Sequence, residues 1–245
     1  MVTTRRTGKT KAKRTLVTAT WNVRSLVKDA GDAKICRKNR NVSDTAVDRK
    51  LDFLVEELGR FGVDVAGIQE TKWFGSDVWP AGSGTLLHSG RPLPLESEPG
   101  RRNEGVGILM NSAVTGMWKS GGEQWIAVSS GIVTARLLVA KRGDKLPGGG
   151  KRHADSCVSI VNVYAPTSKA PPNVRRKFFD DLQRVVDSIP SRDVLVVLGD
   201  LNACVWSSTD YADSAVSRID GMPGDEQMWG CVLGQFGLGN CNRAG

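Results

Sequence analysis

The sequence predicts an α/β fold in which two β-sheets lie face to face, and three observations support this prediction. Segments 15–69 and 157–198 both have the order strand, helix, strand. An acidic residue follows the last strand of each unit, Glu70 in the first and Asp200 in the second. The segments between the two units have hairpin spacing without a helical pattern. Since each sheet must bury a face, this order favours a layered domain with two mixed sheets.

The first unit begins with residues 15–21 (TLVTATW), whose β-branched and small residues indicate a strand that ends at Asn22. A polar, basic loop is expected over 28–41. Ser43 is a suitable cap for the helix that follows. The apolar residues of this helix recur at helical spacing: Val47, Leu51, Leu54, Val55 and Leu58. Residues 63–69 (VDVAGIQ) form a nearly continuous apolar run, which predicts a strand buried on both faces.

The middle of the chain is predicted to form strands near 84–88, 105–110, 125–128 and 132–139. Because no helical pattern separates them, we expect them to extend the first sheet as antiparallel strands. The segment 141–155 (KRGDKLPGGGKRHAD) is basic and rich in glycine, which predicts the exposed loop of a hairpin.

The second unit repeats the pattern of the first. Residues 157–164 (CVSIVNVY) indicate a strand, and 194–198 (VLVVL) indicate a buried strand. A helix is predicted over 173–188 between them. Its apolar face consists of Phe178, Phe179, Leu182, Val185 and Val186.

Composition limits the classes of protein to consider. The chain has 245 residues, 40% of them hydrophobic, which is enough for a buried core and excludes disorder over most of its length. Its longest apolar run, near residue 194, is far shorter than the roughly 18 residues of a membrane-spanning helix. The five cysteines include no CxxC pair and fit neither a zinc site nor a disulfide framework. An intracellular protein is therefore expected.

The net charge of +8 is concentrated at the start of the chain. Residues 1–14 contain six basic and no acidic side chains, whereas the rest of the chain has 28 basic and 26 acidic ones and is nearly neutral. A basic tail of this kind is expected to be disordered and to bind a polyanion such as a phosphate backbone, or a nuclear import receptor. It predicts a nuclear rather than a cytoplasmic location. A tail that only increases solubility is the alternative.

Polar side chains follow the predicted strands at their carboxyl ends, where α/β sheets bind ligands. These residues are Asn22, Glu70, Asp200, Asn202, and either Asn162 or Tyr164. Carboxylate and amide oxygens are ligands suited to Mg²⁺ or Mn²⁺. The pattern predicts a metal site that acts on phosphates.

Four motifs carry a family resemblance: TWNVRSL (20–26), GIQETKW (67–73), NVYAP (162–166) and GDLNA (199–203). In this order they resemble the signature motifs of the endonuclease/exonuclease/phosphatase superfamily. WNVRSL and QETKW are most similar to the apurinic-type endonuclease domains of non-LTR retrotransposons and the related craniofacial development protein 2-like group, as is 234–245 (GQFGLGNCNRAG). The resemblance implies a four-layered α/β/β/α sandwich of the DNase I-like type. It also implies a DNA endonuclease that uses Mg²⁺ or Mn²⁺ and nicks target DNA by phosphodiester hydrolysis.

The resemblance also implies roles for individual residues. Glu70 would bind the metal, and Asn22 would help to place it. Asp200 and Asn202 would orient the attacking water and the scissile phosphate. Tyr164 would donate a hydrogen bond to a phosphate oxygen.

Two departures from the family pattern affect the expected activity. Arg24 stands where apurinic endonucleases usually have a metal-supporting Asp. The family pattern ends in an Asp-His pair, but the histidines of this chain, His88 and His153, both precede GDLNA and do not substitute for it. We therefore expect a domain over 15–245 that lacks its C-terminal strands and has weak or no activity alone. A downstream reverse transcriptase in a longer polyprotein is the expected partner.

Several residues are candidates for contact with nucleic acid. They are Arg24, Lys72 and Trp73 near the strand ends, Arg5 and Arg6 in the tail, and Lys151 and Arg152 in the basic loop. Trp73, with Trp79, is placed to stack on an unpaired base, and packing in the core is the alternative. For the loop, the alternative is a solvated surface.

Two other functions remain open from the residues alone. One is another branch of the same superfamily, such as an inositol phosphatase or an RNA deadenylase. The other is a nucleic-acid-binding remnant without catalysis that uses the basic tail and loop. Cleavage that depends on metal separates the enzymes from the remnant.

Overall fold

The computed structural model describes residues 15–26, 45–92, 104–146, 149–202, 204–206 and 218–220. Its helices are α1 (Thr45–Arg60), α2 (Ser112–Ser120) and α3 (Pro172–Ser188). Its strands are β1 (Thr18–Asn22), β2 (Val65–Gln69), β3 (Ser76–Ala81), β4 (Gly84–Ser89), β5 (Val106–Met110), β6 (Trp125–Ser129), β7 (Ile132–Ala140), β8 (Ser156–Tyr164), β9 (Val194–Asp200), β10 (Cys204–Trp206) and β11 (Arg218–Asp220). None of the described helices is long and apolar enough to cross a membrane. The predicted tail (1–14), the predicted loop (28–41), Ser43 and the motif at 234–245 lie outside the described residues.

The strands form two main sheets. The first sheet has five strands in the order β1-β2-β5-β4-β3, with β1 parallel to β2 and the other pairs antiparallel. The second sheet has four strands in the order β6-β7-β8-β9, with only β8 and β9 parallel. β10 and β11 form a separate antiparallel pair. The two parallel pairs correspond to the two predicted strand-helix-strand units.

Three buried clusters show how the layers pack. On the outer face of the first sheet, α1 buries Leu51, Leu54 and Leu58. On the outer face of the second sheet, α3 buries Phe178 and Phe179. The core between the sheets contains side chains from both, including Val65, Leu87, Ile108, Val133, Leu137 and Ile160. The order of layers is therefore α/β/β/α, which confirms the predicted fold class.

Helix α2 and the strands after it differ from the prediction, which placed no helix here and assigned β6 and β7 to the first sheet. α2 has nine residues and contains Gly116, so its sequence has a weak helical pattern. Asn111 caps it by accepting a hydrogen bond from the backbone nitrogen of Val114. After α2, β6 and β7 lie in the second sheet beside β8. Hairpin spacing predicts that two strands pair, but it does not predict which sheet they join.

The edge strands also differ from the prediction. The sequence pattern does not predict β3, because Pro80 interrupts it, but proline is tolerated at the edge of a sheet. Residues 194–198 are predicted to be buried, whereas β9 is half-buried and Val194 is 61% exposed. Within the described ranges β9 is the edge strand of the second sheet, because it pairs with a described strand, β8, on one side only.

Candidate active site

The carboxyl ends of four strands meet at one edge of the sandwich. β1 and β2 run parallel in the first sheet, and β8 and β9 run parallel in the second. At or directly after these ends lie Asn22, Glu70, Tyr164 and Asp200. A hydrogen bond of 3.4 Å from Nδ2 of Asn22 to Oδ2 of Asp200 joins the two sheets, although these residues are 178 positions apart. The structure therefore brings these four predicted residues into one site.

The carboxylate of Glu70 is held from both sheets. Its Oε1 accepts one hydrogen bond of 2.8 Å from Nδ2 of Asn22 and another of 2.8 Å from the hydroxyl of Tyr164. Glu70 has a φ of 57°, so the chain turns sharply as it leaves β2. Both hydrogen bonds that described side chains donate to the Glu70 carboxylate end on Oε1, so Oε2 is left for another ligand.

Tyr164 is a hydrogen-bond donor in this site. Burial, together with its hydrogen bond to Glu70, raises the pKa of the Tyr164 hydroxyl to about 12. The hydroxyl therefore stays protonated at neutral pH and donates to the carboxylate.

The GDLN segment forms a tight turn that orients Asp200 and Asn202. Gly199 has a φ of 137°, and a Cβ there would lie 2.0 Å from the carbonyl oxygen of Val163, so only glycine fits. Oδ1 of Asp200 accepts a hydrogen bond of 2.9 Å from the backbone nitrogen of Asn202. Nδ2 of Asn202 donates to the carbonyl oxygen of Ala165 at 2.6 Å. Asn202 thus ties the end of β9 to the end of β8, and Oδ2 of Asp200 faces Asn22.

The donor atoms of the site fit a hard divalent cation. The carboxylates of Glu70 and Asp200 both lie within hydrogen-bonding distance of one amide nitrogen, Nδ2 of Asn22. In the described part of the chain, no three His, Cys, Asp or Glu side chains come close enough to hold a metal ion. Mg²⁺ does not need three, because it is usually bound by one or two carboxylates and keeps several waters. The site therefore fits Mg²⁺ or Mn²⁺ better than zinc, which prefers nitrogen and sulfur ligands.

Asn162, the alternative to Tyr164 in the sequence analysis, lies below the site. Its side chain is fully buried, and its Nδ2 donates to the carbonyl oxygens of Ile68 and Gly107 in the first sheet. Its Oδ1 accepts a hydrogen bond of 2.7 Å from Nε2 of Gln69. Asn162 therefore connects the sheets, and Tyr164 is the residue that reaches Glu70.

Two of the predicted nucleic-acid contacts lie beside the site. Arg24 is exposed, and its backbone nitrogen donates to Oδ1 of Asn22 at 3.1 Å. Lys72 is half-buried and follows Glu70 by two positions. Both have a left-handed backbone, with φ of 55° and 59°. Arg24 and Lys72 therefore each lie two positions after a residue of the site, Asn22 and Glu70 respectively.

The prediction that Trp73 stacks on a base is wrong. The side chain is only 4% exposed and packs in the core of the first sheet. Its ring centroid lies 5.4 Å from that of Trp79 and 5.5 Å from that of His88. The loop after β2 turns this indole inward, so the alternative of core packing applies.

The basic loop lies at the opposite end of the second sheet from the site. It connects β7 to β8, so Lys151 and Arg152 stand before β8 begins, whereas Tyr164 ends that strand. The nine residues of β8 span roughly 25–30 Å. Nη1 of Arg152 donates to Oγ of Ser156 at 2.6 Å. At this distance the loop cannot contact nucleotides at the site. The two other predicted contacts, Arg5 and Arg6, lie outside the described residues.

A cleft of about 430 Å³ adjoins the site. Tyr164, Ser130 and Phe178 are among its lining residues. At its rim, Arg91 forms an ion pair of 2.6 Å with Glu104. The cleft offers space for a substrate that extends beyond a single phosphate group.

Sequence reasoning missed the side chains that support the site from below. Gln69, Thr71 and His88 are all buried, and the patterns interpret His88 only as an ordinary residue of a strand. One signal in the sequence could have indicated them: a polar side chain inside an apolar strand is buried and therefore requires a hydrogen-bond partner.

Comparisons with known proteins agree with this geometry. The model of the Endonuclease/Exonuclease/phosphatase family matches residues 19–240, a range that includes all four motifs. Craniofacial development protein 2 from Bos taurus and from Tragulus javanicus are each 26% identical to the chain over 226 residues, which is 92% of it. The chain spans 27% and 28% of the length of these relatives. Members of the matched family are typically hydrolases of phosphodiesters or phosphate esters and generally use divalent metal ions.

Proposed function

The chain belongs to the endonuclease/exonuclease/phosphatase family, and on this premise we propose that it is a metal-dependent endonuclease that hydrolyses phosphodiester bonds in DNA. The observation that carries the proposal is the convergence of Glu70, Asp200, Asn22 and Tyr164 from both sheets. Two carboxylates, an amide and a protonated phenol suit hydrolysis of a phosphate ester, in which negative charge accumulates on the phosphate oxygens.

Glu70 and Asp200 would hold the metal, and Asn22, whose Nδ2 donates to both carboxylates, would help to place them. When bound, the ion would stabilise the charge that develops on the scissile phosphate. Asp200 would orient the attacking water and accept its proton, and the hydrogen bond from the backbone nitrogen of Asn202 to Oδ1 supports this by holding the carboxylate. The hydroxyl of Tyr164 stays protonated and donates its single hydrogen to Glu70, so it would have to turn away from Oε1 to donate to a phosphate oxygen.

Three features support DNA as the substrate. WNVRSL and QETKW are similar to the corresponding motifs of retrotransposon endonucleases, and the basic residues Arg24 and Lys72 follow Asn22 and Glu70 by two positions. The cleft beside Tyr164 has room for the groups that flank a scissile phosphate.

A second candidate is nucleic-acid binding without cleavage. It is favoured by Arg24, because a cation at this position replaces an anionic ligand and weakens the attraction for a metal. Binding of this kind depends on salt and is insensitive to EDTA.

A nicking assay on supercoiled plasmid tests the proposal. We expect weak Mg²⁺- or Mn²⁺-dependent nicking by the chain, which Glu70→Gln and Asp200→Asn lower to the background measured without protein. Glu56→Gln, which changes an exposed carboxylate on α1, is the matched control and is expected to act like the unmodified chain. Equal nicking by Glu70→Gln would refute the assignment of Glu70. DNA binding that persists in EDTA, without nicking at any metal concentration, would favour the second candidate.

Inositol phosphates and an adenylate oligomer of RNA, assayed under the same conditions, test the other branches of the family. Turnover of either in preference to plasmid DNA would contradict the proposed substrate.

A further inference from the structure

His88 is a buried polar side chain that the proposed chemistry does not use. It lies in β4 of the first sheet and is only 1% exposed. Buried imidazole nitrogens need hydrogen-bond partners, because leaving them without any is unfavourable. The identity of these partners indicates what the residue does.

Both partners of His88 belong to the loop that carries Glu70. Nε2 lies 2.9 Å from Oγ1 of Thr71, the residue after Glu70. The ring also forms a hydrogen bond with the backbone of Gly75, where the loop ends. One imidazole therefore connects the two ends of the loop between β2 and β3.

The neighbouring glycines leave room for this arrangement. A Cβ at Gly90 would lie 2.8 Å from Cε1 of His88 and 2.1 Å from the carbonyl oxygen of Trp73. A Cβ at Gly105 would lie 2.2 Å from Oγ1 of Thr71. Residues with a side chain at these positions would displace the ring or the loop, so the imidazole occupies a closely fitted position.

The loop needs such support because its backbone is unusual. Glu70 and Lys72 both adopt left-handed conformations, with φ of 57° and 59°. Residues other than glycine keep such conformations only where the surrounding structure fixes them. Backbone hydrogen bonds from Thr71 to Gly105, at 3.1 Å, and from Lys72 to Glu104, at 3.0 Å, hold one side of the loop.

We propose that His88 is a positioning residue: through Thr71 and Gly75 it fixes the left-handed turn at Glu70 and so orients the Glu70 carboxylate. This inference rests on the proposed role of Glu70 as a metal ligand. Burial lowers the pKa of His88 to about 4, so the ring is neutral at physiological pH and Nε2 remains an acceptor for the Thr71 hydroxyl. Supporting groups behind a ligand typically change metal affinity about 10- to 100-fold when removed.

The test compares three variants of the full chain: His88→Asn, His88→Gln and Ser89→Ala. The asparagine amide is too short to contact Thr71, whereas the glutamine amide reaches the position of Nε2. Ser89→Ala is the matched control, because Ser89 is buried in the same strand but donates to the carbonyl oxygen of Ser129 instead of to the loop. The readouts are hydrogen exchange at the amides of Thr71 and Lys72 and the Mn²⁺ affinity by electron paramagnetic resonance.

In His88→Asn we expect the two amides to exchange at least about tenfold faster and Mn²⁺ to bind about 10- to 100-fold more weakly. His88→Gln should recover most of both losses, and Ser89→Ala should show neither. Unchanged exchange in His88→Asn would overturn the role of His88, whatever happens to metal binding. Faster exchange with unchanged Mn²⁺ affinity would overturn the link to Glu70. If the unmodified chain does not bind Mn²⁺, the proposed function fails, and the exchange rates alone decide whether His88 holds the loop.

Discussion

Nε2 of Gln69 donates a hydrogen bond of 2.7 Å to Oδ1 of Asn162, and this bond joins the two sheets directly beneath the candidate site. Gln69 precedes Glu70, and Asn162 lies two positions before Tyr164. The pair therefore sets the separation between the two sheets where Glu70 and Tyr164 meet. Both side chains are almost fully buried, so their amides depend on each other for hydrogen bonding.

Replacing Asn162 should strongly destabilise the fold. Asn162→Leu removes three hydrogen bonds and leaves the Nε2 of Gln69 without this acceptor, so we expect the free energy of unfolding to fall by about 3 kcal/mol or more. Ser159→Ala, in the same strand, removes a single hydrogen bond to Asp193 and should cost about 1 kcal/mol. Urea unfolding measures both. A loss in Asn162→Leu no larger than in Ser159→Ala would contradict the structural role of Asn162.

Gly67 is expected to tolerate no side chain, because the sheets approach each other closely there. A Cβ at this position would lie 2.4 Å from Oδ1 of Asn162 and 2.8 Å from Cβ of Leu198. We expect Gly67→Ala to lower the free energy of unfolding by roughly 1–3 kcal/mol. The control is Gly59→Ala in α1, where a Cβ would meet no atom within 4 Å. It should raise stability by up to about 1 kcal/mol through helix propensity, and equal effects of the two changes would be inconsistent with the close approach.

The hydroxyl of Tyr164 should lose its proton only at high pH, because burial and its hydrogen bond to Glu70 raise its pKa to about 12. The chain has two tyrosines, Tyr164 and Tyr211, so the tyrosinate absorbance of the unmodified chain should include one transition near pH 12 that Tyr164→Phe lacks. Since the pKa is higher in the folded state, the stabilisation from the hydroxyl should be complete below about pH 10 and disappear as pH rises toward 12. Unfolding of the two proteins at pH 8 and at the highest accessible pH measures this difference. A Tyr164 transition near pH 10 would contradict the hydrogen bond to Glu70.

The position of the basic residues leads to a prediction about DNA binding. Arg24 adjoins the site, whereas Lys151 lies at the other end of β8, roughly 25–30 Å away. On a duplex of about 12 base pairs centred on the cleavage site, Arg24→Ala should weaken binding. It should also reduce the slope of the logarithm of the binding constant against the logarithm of the salt concentration by about 1. Lys151→Ala should change neither, because such a duplex extends only about 20 Å to each side. A larger effect of Lys151→Ala in this assay would show that DNA binds in a different orientation.

The sequence predicted the two strand-helix-strand units, because α1 and α3 have strong helical periodicity and β2 is a short apolar run. It did not predict the sheet that β6 and β7 join. Pairing across a hairpin is a local property, whereas the choice of sheet depends on packing between segments far apart in the chain. Helix α2 was missed because nine residues provide too few turns for a clear period.

At the site, the strand ends predicted Asn22, Glu70 and Asp200 and left Asn162 and Tyr164 as alternatives, because α/β sheets bind ligands at the carboxyl ends of their strands. The direction of the Trp73 side chain depends on the left-handed turns at Glu70 and Lys72, which the residue types do not reveal. Gln69 and His88 have roles that exist only after the sheets and loops pack, so no local pattern indicated them.

Binding of Mn²⁺ to the purified chain, measured by electron paramagnetic resonance, tests the central claim most directly. If Glu70 and Asp200 hold the metal, the unmodified chain binds one Mn²⁺, and Glu70→Gln and Asp200→Asn each weaken it about tenfold or more. Glu56→Gln, which removes an exposed carboxylate of α1, should leave the affinity unchanged. Equal Mn²⁺ binding by Glu70→Gln and the unmodified chain would contradict the claim that this site is a metal centre.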